Sequence, residues 1–258
     1  MSAKTLQTVG RRTQLVAALA GLLALLGGLA ILSGPGNSAG AAPGQAVYIG
    51  QASAKRVPLC PQRCSGLAIV SGFQAKAGGV GNAYRVPFVG KMTRWRIKLG
   101  QPNRMQTNFF TSRFGTKPQA AIGVLSQKKM NGKVVYKLRR RTQMQDLTKH
   151  LGKTATFNLP QPMNVNEGDY LALIVPTWAP ALSVPRACQV VNGEMVNETV
   201  CDTFNENNNW IASRNRKTCN AKVINRNNSQ AQVKVGSLVP YGCRFNGALT
   251  YGVRVERR

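Results

Sequence analysis

The chain has 258 residues, with 35 Lys and Arg against 8 Asp and Glu, a net charge of +27 and a pI near 10.9. That balance excludes an ordinary near-neutral enzyme. A disordered polycation is excluded too, because 43% of residues are hydrophobic and only 17% are charged.

The charge is unevenly placed: the first 145 residues hold 22 Lys and Arg and no acid. Residues 15–32 read LVAALAGLLALLGGLAIL, without a charge, after Lys4, Arg11 and Arg12. As a helix at about 1.5 Å per residue this run spans roughly 27 Å, close to a bilayer's hydrocarbon core. The basic flank is expected to stay cytoplasmic, so everything after Leu32 is expected outside. Two readings compete. The length of the run favours an uncleaved membrane anchor. The small residues of 34–42, with Ala39-Gly40-Ala41 as a peptidase site, favour a cleaved signal peptide and secretion. The expected organisation is a leader with anchor or signal peptide over 1–33, a flexible Gly/Ala/Pro/Ser tether over 34–64, and an extracellular domain over 65–258.

Six cysteines follow: Cys60, Cys64, Cys188, Cys201, Cys219 and Cys243. An even count in an exported chain reads as three disulfides, and proximity favours Cys60–Cys64, Cys188–Cys201 and Cys219–Cys243. Zinc is the competing reading. It suffers from the spacing of Cys60-Pro-Gln-Arg-Cys64 and from there being a single imidazole, His150.

From about Gly66 the pattern becomes short β-type runs between turns. The expected strands are Leu67–Phe73, Arg85–Val89, Met92–Leu99, Ala120–Gln127, Lys133–Arg139, Thr154–Asn158, Tyr170–Pro176, Trp210–Ser213, Gln232–Val235 and Ala248–Val255. Asn131-Gly132 is the best hairpin turn, since both centres of such a turn need positive φ. It predicts Leu125 opposite Leu138 and Gln127 opposite Tyr136. Val134, Tyr136 and Leu138 would then line one face, and Lys133, Val135, Lys137 and Arg139 the other. Gln145–Leu151 is the one expected short helix, stopped by Gly152. The fold class is therefore all-β: a two-sheet antiparallel sandwich, jelly-roll-like, preceded by one N-terminal hydrophobic helix.

Several stretches carry a family resemblance. They are Val86-Pro87-Phe88, Thr93-Arg94-Trp95-Arg96-Ile97, Asn158-Leu159-Pro160, Gly168-Asp169-Tyr170-Leu171-Ala172-Leu173, Pro176-Thr177-Trp178-Ala179-Pro180, Trp210-x-Ala212-Ser213-Arg214 and Tyr241-x-Cys243. Over residues 65–258 the chain resembles exported, single-anchor β-sandwich proteins of high-GC Gram-positive bacteria that have no established activity. The resemblance implies fold and location and carries no catalytic residue. The stretch 189–209, with its extra cysteine pair, departs from the pattern.

Candidate chemistry is sparse. His150, at the end of the expected helix, reads as a cap of carbonyls rather than a base. No nucleophile elbow, zinc-protease, P-loop or dinucleotide motif is present. Glu167 and Asp169 could form a carboxylate pair, as in a carbohydrate-active enzyme, but their turn setting reads as backbone capping. Glu194, Glu198, Asp202 and Glu206 recur every four residues. On a helix they would repel, so a hairpin and loop is expected there, with charge neutralisation preferred to a calcium site. No catalytic residue, metal ligand or cofactor is assigned.

The bases remain. Arg94, Arg96 and Lys98 share one strand face, with Trp95 and Ile97 on the other. With Lys137, Arg139, Arg140, Arg141, Arg214 and Trp178 they form the candidate binding set. Trp178, between two prolines, is expected to be exposed, and Trp95 to be core. Arg forks suit phosphate and carboxylate. The expected partner is an anionic cell-envelope polymer or membrane surface, and export argues against intracellular nucleic acid. A structural or assembly role with an envelope protein partner, and extracellular nucleic-acid binding, are the alternatives.

Overall fold

A computed structural model describes residues 44–50, 57–61, 64–185, 188, 190–191, 194–219 and 230–258. The expected N-terminal hydrophobic helix at 15–32 lies outside the described residues. Among them, no helix is long and apolar enough to cross a membrane.

In chain order the strands are β1 (Ala46–Gly50), β2 (Leu67–Ala77), β3 (Val80–Gly81) and β4 (Gly90–Lys98), followed by helix α1 (Arg104–Phe114). Next come β5 (Gln119–Met130), β6 (Lys133–Arg141), β7 (Gln145–Asp146), β8 (Thr154–Val165), β9 (Tyr170–Ala179) and β10 (Leu182–Ser183). A short pair, β11 (Val190–Val191) and β12 (Glu194–Met195), precedes helix α2 (Glu198–Asn207) and β13 (Asn208–Ala212). The chain finishes with β14 (Leu238–Val239), β15 (Cys243–Asn246), β16 (Ala248–Leu249) and β17 (Tyr251–Arg257).

Two antiparallel sheets carry the fold. The smaller has the order β1-β17-β4-β8. The larger has the path β14-β6-β5-β9-β2-β13-β15, with β3 beside β2 and β7 beside β5. The chain alternates between them: β1, β4, β8 and β17 lie in the smaller sheet, and β2, β5–β6 and β9 in the larger. One core cluster joins Trp95, Ile97, Val253 and Val255 of the smaller sheet to Phe73, Leu125, Leu138 and Leu173 of the larger.

The central strands of the larger sheet are buried on both faces. Every residue from Ala120 to Leu125 is inaccessible, which is why β5 and β9 read as continuous apolar runs instead of alternating. One covering element is the segment 230–241. Its Tyr241 ring lies 5.7 Å from Phe73 and 5.0 Å from Tyr136, and Tyr136 in turn meets Tyr170 edge-on at 5.6 Å. A buried polar network pins the same segment. Gln232 N donates to Ser71 Oγ at 2.8 Å, Gln232 Nε2 to Tyr136 O at 3.0 Å, and Tyr241 Oη to Gln232 Oε1 at 3.0 Å. Those bonds explain why Gln232–Val235, expected as a strand, is irregular: its groups are spent on the network. Arg85–Val89 likewise makes only an isolated bridge, Arg85 with Tyr170.

Other expectations are corrected. The segment 145–151 is no helix. Gln145–Asp146 pairs with β5, and a 3-10 turn at Thr148–His150 follows, because Asp146 Oδ1 accepts from Thr148 N at 2.9 Å. The tether expected over 34–64 contains β1, which pairs Val47 with Val255 and buries Ile49. Two helices were not foreseen. In α1, Asn103 and Gln106 close a reciprocal capping box, and Gly115 at φ 119° ends the helix. In α2, Asn197 caps Val200 N and Cys201 is buried. The exposed Glu198, Asp202 and Glu206 stack on the wet face, where water screens their repulsion and Glu198 meets the positive end of the helix dipole. The expected hairpin survives just before it as β11–β12.

All three disulfides form in the pairing that proximity favoured: Cys60–Cys64, Cys188–Cys201 and Cys219–Cys243. The β5–β6 hairpin also has the expected register, Leu125 opposite Leu138 and Gln127 opposite Tyr136. Its turn residues Asn131 and Gly132 adopt φ of 48° and 75°. Tyr136 and Leu138 are buried as expected. Val134, next to the turn, is 46% exposed because the hairpin tip extends past the sheet.

Candidate functional site

The β5–β6 hairpin and the β8–β9 turn enclose a cleft of about 710 Å³, walled by Arg85, Lys128, Lys129, Arg139, Glu167 and Asp169 among others. A second cleft, of about 410 Å³, shares Ser126, Lys128 and Arg139 with the first and adds Lys137 and Arg140. A third, of about 630 Å³, continues along β6 past Arg141. The first two overlap in a trough whose cations outnumber its acids, Glu167 and Asp169, and the third adjoins it at Val235.

Register decides what each arginine of the triplet does. Between Val124 opposite Arg140 and Leu125 opposite Leu138 the ladder bulges, and Arg139 is the extra residue. Its Nη1 lies 3.0 Å from both Asp169 oxygens, and the Asp169 carboxylate is 4% exposed. Asp169 Oδ2 also accepts from Asn166 N at 2.8 Å. Asp169 is therefore a turn lock committed to one arginine and one backbone amide, which leaves it badly placed to act as an acid or base. Arg140 reaches Asn164 O at 3.4 Å, and Arg141 donates to Val233 O at 3.0 Å. No described carboxylate lies within ion-pair distance of either, so neither is neutralised by an acid as Arg139 is. Lys128, Lys129 and Lys137 are exposed.

The second expected cluster is set apart on the outer face of the smaller sheet. Trp95 and Ile97 are buried, and Arg94, Arg96 and Lys98 half-buried, as period two requires. Arg96 stacks 4.5 Å over the Tyr48 ring of β1. Arg254, opposite Arg94, is neutralised by Glu256. This face is a sheet surface, not a cleft.

Two of the candidate residues belong elsewhere. Trp178 is 1% exposed: α1 lies over it, Phe110 stacks on it at 5.0 Å, and its Nε1 donates to Gly115 O at 3.0 Å. Pro176 lies inside β9 at a register shift, and pairing with β2 resumes at Trp178 and Ala179, so the flanking prolines do not mark exposure. Arg214 is also buried, beside the Phe245 ring, and burial lowers its pKa below the usual guanidinium value. His150 meets Phe157 edge-on and lines no cleft described above.

Sequence reasoning missed Arg85, and it left Lys128 and Lys129 out of the binding set. It also missed an apolar pocket beside α1. The Asn103-x-x-Gln106 capping box was the available signal for that helix.

Comparison with protein-family models, curated proteins and solved structures finds no match to this chain.

Proposed function

We propose that the protein is an exported, membrane-anchored or secreted binding module that holds anionic cell-envelope polymers, or the anionic membrane surface, in the β5–β6 trough. Strand order supports a jelly-roll reading of the sandwich. β1-β17-β4-β8 set against β6-β5-β9-β2, with the chain crossing repeatedly between the two sheets, is the strand order that a double Greek key would need. Three disulfides favour an oxidising, extracellular setting.

The observation that carries the proposal is the trough. Arg85, Lys128, Lys129, Lys137 and Arg140 line two overlapping clefts, Arg141 lines a third beside them, and the one fully buried acid is already consumed by Arg139. Repeated phosphates or carboxylates suit such a row, because each added contact releases counterions and increases retention. The test is retention on purified phosphate-rich wall polymer, on anionic vesicles, on DNA and on a neutral glycan, at low and high salt. Retention on an envelope anion that collapses with salt supports the proposal. The combined change Lys128→Gln, Lys129→Gln and Arg140→Gln should weaken it by about tenfold or more. Equal retention at both salt levels, or retention on the neutral glycan alone, defeats the proposal, and preference for DNA transfers it to an extracellular nucleic-acid binder.

A further inference from the structure

We propose that the pocket beside α1 binds the hydrocarbon chain of a single-chain anionic amphiphile, a long-chain carboxylic acid, with Arg113 pairing its head group. The pocket, about 660 Å³, is lined by Ala68, Met105, Phe109, Phe110, Phe114 and Leu182. Its floor is rigid. Phe110 lies parallel on the buried Trp178, which is itself hydrogen-bonded to the C-terminal cap of α1. Its wall is stapled: the Cys60–Cys64 disulfide closes the adjoining loop, and the Gln106 side chain donates to Pro61 O. A preformed apolar concavity with few polar groups is the usual form of a small-ligand site.

Three further observations point to a ligand. Met105 is 79% exposed and Phe109 48% exposed, one turn apart on the same helix face, so two large apolar side chains stand in water where a bound chain would cover them. Ile69, next to Ala68 of the lining, has φ of 46°. That left-handed conformation is costly for a β-branched residue, and it sits at the register shift between Ala68, opposite Trp178, and Val70, opposite Val175. Strain of this kind collects at binding sites. The charge at the rim has one sign: Arg113 lies 4.8 Å over the Phe109 ring, and no described carboxylate pairs with it. An apolar body with an acidic head matches both features, whereas a neutral lipid would use only one. A concave lining with a closed floor takes one chain, while a bilayer surface asks for a protruding apolar edge.

The experiment uses the full chain in neutral-lipid nanodiscs, photolabelled with dodecanoic acid carrying a diazirine, with the labelled peptides mapped by mass spectrometry. Label is expected on the peptides containing 64–68 and 104–114. Unlabelled dodecanoate should displace it about tenfold more effectively than dodecanol. Phe109→Ala should cut labelling roughly tenfold, and Arg113→Gln should abolish the preference for the acid while leaving dodecanol competition unchanged. Both side chains are exposed, so a folded variant is expected, checked by circular dichroism. The triple trough variant should label normally, which separates this site from the polyanion reading. Label confined to 15–32 or to the β5–β6 hairpin, equal competition by acid and alcohol, or labelling indifferent to Phe109→Ala overturns the proposal.

Discussion

On β4, past the irregularity at Thr93, the bases Arg94, Arg96 and Lys98 alternate with Trp95 and Ile97, so these three cations fall on the outer face and these two core residues on the inner. On β6 Arg139, Arg140 and Arg141 are consecutive, and strict alternation would turn at least one of them inward. The bulge at Arg139 resolves the conflict by taking one residue out of the ladder, and Asp169 neutralises it. A run of like charges in a strand is thus tolerated in two ways: by spacing, which needs no compensation, or by a bulge, which needs a counter-ion.

That contrast can be tested, beginning with the inner face of β4. Trp95→Ala removes a side chain that is 1% exposed and should cost about 3–5 kcal/mol, against at most ~1 kcal/mol for Arg96→Ala one residue on. Urea unfolding of the pair measures the gap, and similar losses would erase the two-face account. On β6, Asp169→Ala should cost about 2–4 kcal/mol, since it strands Arg139 and an amide together. Adding Arg139→Met should recover part of that loss; no recovery would mean that Asp169 acts through the turn alone.

The buried face of β6 has its own signature at alkaline pH. Burial, aided by Tyr170 and opposed by Arg244, pushes Tyr136 up to about 12 from 10.0. Burial likewise raises Tyr241 and Tyr251. Below pH 10 these tyrosines are neutral in folded and unfolded chain alike, and stability is undiminished. Above 10 the unfolded chain releases protons that the folded chain retains, so stability should fall from pH 10 through 12. Denaturation midpoints across that range check the sign, and Tyr136→Phe should make the decline shallower. The smallest effect belongs to the hairpin tip: Gly132→Ala, at φ 75° in open space, should cost about 1 kcal/mol.

Legibility followed locality. Period two placed Trp95 and Ile97 against Arg94 and Arg96, and Asn131-Gly132 set the hairpin register, because both are properties of neighbouring residues. Cysteine proximity sufficed for the disulfides for the same reason. What escaped was tertiary. The burial of Trp178 depends on α1 lying over it, and Arg214 reads as a surface base until Phe245 is brought beside it. Gln232–Val235 has strand composition, yet Ser71, more than a hundred residues away, claims its backbone. The β6 triplet was legible as charge, but which arginine is neutralised depends on a bulge that no local pattern announces.

Within the smaller sheet, β17 lies hydrogen-bonded between β1 and β4, with Val47 opposite Val255 and Ile97 opposite Tyr251. The earliest described strand thus waits for the latest. While the ribosome is still short of residue 251, β1 has no neighbour and β4 has one bare edge. Pairings that span some two hundred positions close slowly, since the entropy of the long loop is lost before any contact repays it. Assembly of the smaller sheet therefore waits for β17, whatever the larger sheet has already formed.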